Sequence, residues 1–290
     1  MRLNRFSPRA YLASIWRDTR EALSRTLHDR AALAAIVLLG LPWGALIFLR
    51  DNWAWLELFA QMLGMVFVFW WMSRSGAQPL APVSKPRAEF MLAMLLIVLW
   101  VMWRAGICTK AFFFLPADFA CYKSWEIEIL PKMFEQVIFP ISVLMLAGYR
   151  LRDLGLHWSW RAWWICLPIT IALIGYGLYR HADWTSYGKS FVEFFFAAGL
   201  PEEILFRVIL LTRLEAWWRN PAWALFGASV IFGLTHLPIN YLVFTNRDWR
   251  EAWITLLTFQ MGFGAVFAFA YQRTRNVLPL AIVHALIDAL

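Results

Sequence analysis

The chain has 290 residues, of which 61% are hydrophobic and only 16% are charged. Soluble domains average about 45–50% apolar residues, so this composition excludes an ordinary soluble globular protein. The net charge of +8 does not require a nucleic-acid partner, because basic residues on the cytoplasmic side of a membrane protein account for it. We therefore predict a multi-span helical protein that contacts the lipid bilayer and does not bind nucleic acid.

The first residues, 1–30, form a basic N-terminal segment. Within it, residues 10–28 are predicted to be an amphipathic helix, with Leu12, Ile15 and Trp16 near one face and arginines around the rest. Such a helix either lies on an anionic membrane surface or is solvated.

Apolar segments of helical length follow. They run over 31–49, 54–72, 90–107, 133–149, 162–179, 190–212, 221–241, 252–271 and 277–290. The last has about 14 residues, or about 21 Å as a helix, and is too short to cross a hydrocarbon core about 30 Å thick. The predicted fold class is therefore all-α: a polytopic transmembrane helical bundle of about eight spans plus a short C-terminal helix.

Shifts in composition divide the chain further. We predict an accessory transmembrane pair over 31–74, a linker over 75–89, helices flanking an outer loop over 90–149, and a catalytic core over 150–290. The distribution of arginine and lysine places the N-terminus in the cytoplasm. We expect an integral membrane protein of the bacterial inner membrane.

In this orientation Cys108 and Cys121 both lie on the outer side of the membrane. They either pair as a disulfide or remain free thiols.

Two adjacent glutamates, Glu202 and Glu203, lie within the apolar segment 190–212. A carboxylate at bilayer depth costs roughly 2.5–3.5 kcal/mol on insertion scales, so the pair indicates function. Arg207 follows Glu203 at i+4, the favoured order for a helical ion pair. Glu202 is then the unpaired acid and suits a general base. The alternative is that both glutamates are structural partners of arginines on other helices.

Two later segments carry His236 and His284. Phe232 precedes His236 by four residues and Asp288 follows His284 by four, so each pair shares one helix face. A lone histidine on an apolar helix is usually a core residue, but two histidines with a buried acid indicate a catalytic site. Asp288 either fixes the tautomer of His284 or points with it into one cavity.

Other catalytic patterns are missing from the sequence. It has no HExxH motif, no serine in a GxSxG turn with a partner base and no glycine-rich phosphate loop. This argues against zincins, serine hydrolases of that type and nucleotide-dependent enzymes.

Three motifs together resemble one family. Residues 202–207 fit EExxxR, residues 232–236 fit FxxxH, and residues 284–288 fit HxxxN/D. In this order, on consecutive membrane helices, they resemble the CPBP family, also called the Abi or CAAX-prenyl-endopeptidase-like family of intramembrane proteases. The resemblance covers roughly residues 150–290.

The resemblance implies an endopeptidase that hydrolyses a peptide bond in a membrane-associated or C-terminal-tail substrate. It implies that Glu202 activates water with help from His236, and that His284 and Asp288 stabilise the oxyanion. Because a deprotonated Asp288 cannot donate a hydrogen bond, we expect it to orient His284 instead.

The supporting residues implied by the resemblance are Glu203, Arg207 and Phe232. Glu202, His236 and His284 could also bind zinc with one open coordination position. A glutamic mechanism without a metal or another cofactor is favoured over the zinc alternative.

Two other functions fit the same residues. A proton-coupled transporter would use the buried acid and histidines as a relay, but transporters often show internal repeats, and the sequence shows none. A non-catalytic immunity or interaction protein on the same scaffold is the second alternative.

Overall fold

The computed structural model describes residues 53–72, 82–111, 125–150, 159–181 and 183–290, with isolated positions at 17, 20, 40, 44 and 80. Apart from those positions, the predicted N-terminal helix and the predicted span over 31–49 lie outside the described residues, as does Cys121. The described residues contain helices and no strand. The predicted all-α class is therefore confirmed.

Eight helices occur in the described ranges, and we number them in chain order. They are α1 Trp53–Met72, α2 Pro86–Cys108, α3 over 125–146, α4 Trp160–Arg180, α5 over 184–218, α6 Pro221–Phe244, α7 Trp249–Thr274 and α8 Val277–Asp288. Among these, α2, α3, α4, α6 and α7 are long and apolar enough to cross a membrane. The chain is an integral membrane protein built as a helical bundle.

The inner helix of the bundle is α5, which covers the predicted span over 190–212. Every residue from Pro201 to Leu214 is buried, including Glu202, Glu203 and Arg207. Helices α3 and α8 pack against its middle, and α2 and α6 pack against its C-terminal half. These three charged side chains of α5 therefore face protein rather than lipid, which is where ionisable residues of membrane helices are tolerated.

Short π-helical segments precede prolines in two of these helices. Phe134–Ile138 precedes Pro140 in α3, and Phe195–Gly199 precedes Pro201 in α5. Proline has no N–H to donate. Both segments are instead closed by the five-residue hydrogen bonds of a π-helix, such as the one from the Leu200 N–H to the Phe195 carbonyl. One extra residue in a turn rotates everything after it by about 100°. The direction of Glu202 is therefore set by this segment.

Gly199 allows α8 to approach α5 closely. A Cβ atom at this position would lie 2.5 Å from the carbonyl oxygen of Ala281 and 3.2 Å from the backbone nitrogen of Ala285. Both atoms belong to the backbone of α8, which cannot rotate away as a side chain can. The close contact also fixes the position of His284, which directly precedes Ala285.

We expect Gly199→Ala to lower the free energy of unfolding by about 1–3 kcal/mol, the usual cost of overpacking a tight contact. Denaturation of the purified protein by SDS in detergent micelles measures this loss. The matched control is Gly188→Ala in the same helix, because Gly188 is exposed and a Cβ there meets nothing within 4 Å. Equal stability of the two variants would contradict the close approach.

Two buried ion pairs join helices away from the middle of the bundle. Arg213 Nε of α5 lies 3.4 Å from Glu89 Oε2 of α2, and Arg213 Nη1 also donates to the Val208 carbonyl. Arg275, between α7 and α8, places Nη2 2.6 Å from Glu215 Oε1 of α5. These contacts fix the ends of α2, α5 and α7 relative to one another.

The cysteines differ in state. Cys108, at the end of α2, is disulfide-bonded, so the free-thiol alternative does not hold for it. Cys166 is a buried free thiol within α4.

Candidate active site

The four side chains predicted to be catalytic line one cavity of about 220 Å³. Glu202 comes from α5, His236 from α6, and both His284 and Asp288 come from α8. The remaining lining residues are Lys132, Phe194, Ala198, Phe232, Phe244, Phe259, Gln260, Phe263 and Ile287. The structure therefore brings together residues from five helices, with polar groups at a cavity whose other walls are mostly aromatic.

Glu202 faces both histidine rings. Its Oε2 atom lies 3.8 Å from His236 Nε2 and 4.0 Å from His284 Nε2. These separations are too long for direct hydrogen bonds, but a single water molecule can bridge atoms at such distances. The carboxylate and the two imidazoles thus form a polar cluster that is able to hold one water molecule.

The ring of His236 is held by its own helix. Its Nδ1 atom lies 2.8 Å from the carbonyl oxygen of Phe232, and the ring packs against the Phe232 ring with centroids 4.6 Å apart. Since a carbonyl only accepts hydrogen bonds, Nδ1 donates. In the neutral ring this leaves the lone pair on Nε2, directed toward Glu202. The FxxxH spacing therefore sets both the orientation and the tautomer of His236.

The ring of His284 has a carboxylate at each nitrogen. Nδ1 donates to Glu203 Oε1 at 3.0 Å, and Nε2 lies 3.4 Å from Asp288 Oδ2. The ring also stacks on Phe267, with centroids 4.8 Å apart. Asp288 was expected to orient this ring, but the shorter contact comes from Glu203 on α5.

Glu203 and Arg207 form the predicted i, i+4 ion pair. Arg207 Nε lies 3.1 Å from Glu203 Oε2, and both side chains are fully buried. The Arg207 guanidinium lies over the Phe232 ring, 5.0 Å from its centroid. Glu203 therefore links Arg207 to His284, and Phe232 contacts both Arg207 and His236.

Lys132 was not anticipated from the sequence. Its Nζ atom lies 3.5 Å from Glu202 Oε1, and its ammonium group lies 5.8 Å from the centroid of the Trp100 ring. The expectation that Glu202 is unpaired is therefore wrong. The predicted span began at residue 133, which placed Lys132 outside the membrane, whereas the apolar part of α3 begins at Ile129.

Residues 184–290 match the model of the Rce1-like family, described as type II CAAX prenyl endopeptidase Rce1-like. This segment is Rce1-like. It begins with the first residue of α5 and contains the EExxxR, FxxxH and HxxxD motifs, which confirms the resemblance stated from the sequence. No curated protein and no solved structure matches the chain.

The Rce1-like segment supports an enzyme of the CAAX-protease type acting on protein substrates in a bilayer. Lys132 lies before this segment, so the cavity also contains a charged group that the family match does not cover.

Proposed function

We propose that this chain is an intramembrane endopeptidase and that Glu202 is the base that activates water. The observation that carries the proposal is the position of Glu202 Oε2, 3.8 Å and 4.0 Å from two imidazole nitrogens within one cavity. A carboxylate, a basic ring nitrogen and a hydrogen-bond donor near one water-sized space are the groups that amide hydrolysis requires.

In the proposed reaction, one water molecule is held between Glu202 and His236 Nε2. Glu202 takes a proton from this water while the water oxygen bonds to the carbonyl carbon of the scissile amide. The carbonyl π electrons move to oxygen and form a tetrahedral oxyanion. The proton then passes from Glu202 to the amide nitrogen, the C–N bond breaks, and a carboxylic acid and an amine leave.

His284 is proposed to stabilise the oxyanion. Because Glu203 accepts from Nδ1 and Asp288 Oδ2 lies 3.4 Å from Nε2, a ring protonated on both nitrogens has a carboxylate near each end. Its Nε2–H lies beside the cavity, where it can donate to the developing oxyanion. A preorganised donor of this kind typically contributes a factor of about 10²–10³ to kcat.

We infer that the reaction needs no metal. Lys132 places a positive charge 3.5 Å from the Glu202 carboxylate, which disfavours a cation beside that carboxylate. Among the described residues no group of three or more His, Cys, Asp or Glu side chains is arranged to hold a metal ion. The charge of Lys132 therefore supports the metal-free mechanism over a catalytic zinc site held by Glu202, His236 and His284.

Zinc chelation tests this inference. We expect 1,10-phenanthroline to change the cleavage rate of the purified protein by less than about twofold, whereas removal of a catalytic zinc abolishes activity. Metal content measured by mass spectrometry on the same sample provides the parallel readout. Loss of activity that added zinc restores would contradict a metal-free mechanism.

The proposed substrates are proteins with a membrane-associated segment or a C-terminal tail that reaches the cavity. Prenylated CAAX-type tails are the first class to test, because the family description names them. The proposed location is the bacterial inner membrane, and the distribution of basic residues supports a cytoplasmic N-terminus.

A comparison of membrane proteomes tests the function without prior choice of a substrate. Cells that produce the chain with Glu202→Gln are expected to accumulate uncleaved precursors relative to cells that produce the original chain. The terminal peptides of each membrane protein, identified by mass spectrometry, reveal these precursors. Identical sets of termini in the two samples would contradict an endopeptidase.

A further inference from the structure

Two buried amide side chains meet at the wall of the cavity. Gln260 ends a π-helical segment of α7, Leu256–Gln260, and Asn240 begins one in α6, Asn240–Phe244. Gln260 Nε2 donates to Asn240 Oδ1 at 3.2 Å. Asn240 is fully buried and Gln260 is 8% exposed, so this polar pair lies inside the bundle.

Within the described ranges, Gln260 Oε1 and Asn240 Nδ2 of this pair have no hydrogen-bond partner. Gln260 Oε1 is buried without a hydrogen bond, although Gln260 lines the cavity that holds Glu202 and both histidines. A buried amide oxygen without a partner is costly, and such groups in native proteins call for an explanation. The wall around it is aromatic, with Phe259 and Phe263 from the same helix.

A peptide that enters this cavity needs hydrogen-bond acceptors for its backbone. Away from water each of its backbone N–H groups requires an acceptor. The other polar side chains lining the cavity, Lys132, Glu202, His236, His284 and Asp288, are all ionisable. Gln260 is therefore the neutral amide at this wall, and its free acceptor matches the N–H donor of a peptide bond.

We propose that Gln260 is a substrate-positioning residue, whose Oε1 accepts a hydrogen bond from one backbone N–H of the peptide beside the scissile bond. Asn240 holds the Gln260 amide by accepting from Nε2, so that Oε1 stays directed to the peptide. This inference rests on the proposed endopeptidase function and adds a contact for the substrate backbone. The contact does not depend on the substrate's side chains.

Peptides with one altered backbone atom test the contact directly. The probe is a fluorescent, prenylated CAAX-type peptide in which one backbone N–H at a time is replaced by an ester oxygen. Binding is measured by fluorescence polarisation in nanodiscs to the Glu202→Gln protein, which keeps the peptide intact. The same peptides are then measured with two double variants of the Glu202→Gln protein. One carries Gln260→Met in addition, and the other carries Thr255→Val as the matched control. Thr255 lies on the same helix, and its hydroxyl donates to the carbonyl of Glu251 in its own helix.

The ester is expected to weaken binding about tenfold at one position, as loss of a single hydrogen bond does. Gln260→Met should weaken the unmodified peptide by a similar factor and abolish the effect of the ester at that position alone. The Thr255→Val protein should respond like its parent. A misfolded variant would instead lose affinity for every peptide equally.

Two results would contradict the proposed contact. One is that each ester weakens binding equally in the proteins with Gln260 and with Gln260→Met, and the other is that no peptide of the series binds. Cleavage by the protein with Glu202 intact is measured in parallel. If the peptides bind with the expected position dependence and are not cleaved, the endopeptidase function fails while the Gln260 contact stands.

Discussion

Replacing Glu202 with Gln is expected to lower kcat by about 10²–10⁴-fold, the contribution typical of a general base. Gln has nearly the same shape as Glu but cannot take the proton from water. Cleavage of a prenylated CAAX-type peptide by the purified protein measures the loss. Activity within tenfold of the original chain would remove Glu202 from the mechanism.

The control for this experiment lies on the same helix. Glu193 pairs with Lys189 at 3.5 Å and does not line the cavity, so Glu193→Gln should retain activity within about twofold. Glu202→Gln also leaves the buried Lys132 without its carboxylate, which can lower stability. The double variant Glu202→Gln with Lys132→Met removes both charges. It should be as inactive as Glu202→Gln and at least as stable.

Arg207→Met is expected to lower the free energy of unfolding by about 3–5 kcal/mol, the usual loss when one member of a buried ion pair is removed. Both Arg207 and Glu203 are fully buried, so the variant would leave a buried Glu203 without its arginine and with His284 as its remaining partner among the described residues. SDS titration in micelles measures the loss. Activity should fall as well, because Glu203 holds the His284 ring.

Two further variants separate the ion pair from a general effect of losing an arginine. Arg250 is exposed at the start of α7, and Arg250→Met should leave stability unchanged to about 0.5 kcal/mol. The double variant Glu203→Gln with Arg207→Met buries neither charge and should recover part of the stability lost in Arg207→Met. A double variant as unstable as the sum of its single changes would show that the two side chains do not interact.

Helix spacing was sufficient to predict the contacts made within single helices. The pairs Glu203–Arg207, Phe232–His236 and His284–Asp288 each join residues four apart, which share one face of an α-helix, and all three contacts occur in the structure. The apolar segments likewise predicted the described helices, because about 20 apolar residues in a row are the requirement for a span.

Contacts between helices were predicted less well. Glu203 and His284 are 81 positions apart in the sequence, and Lys132 and Glu202 are 70 positions apart, so neither contact gives a periodic signal. Lys132 directly precedes the predicted span over 133–149, where lysine side chains often extend to the membrane surface, so its position alone did not single it out. Gln260 lay in the middle of the predicted span 252–271, where a polar amide is costly, and that cost was an unused signal of function.

Two buried charges of α5 have ion-pair partners outside the segment that matches the family. Glu202 faces Lys132 and Arg213 faces Glu89, and both partners precede residue 184, where the Rce1-like match begins. A fragment cut at that boundary would lack Lys132 and Glu89, so Glu202 and Arg213 would each lose the ion-pair partner that lies on another helix. We therefore expect the stretch recognisable by homology to be less stable on its own than within the whole chain.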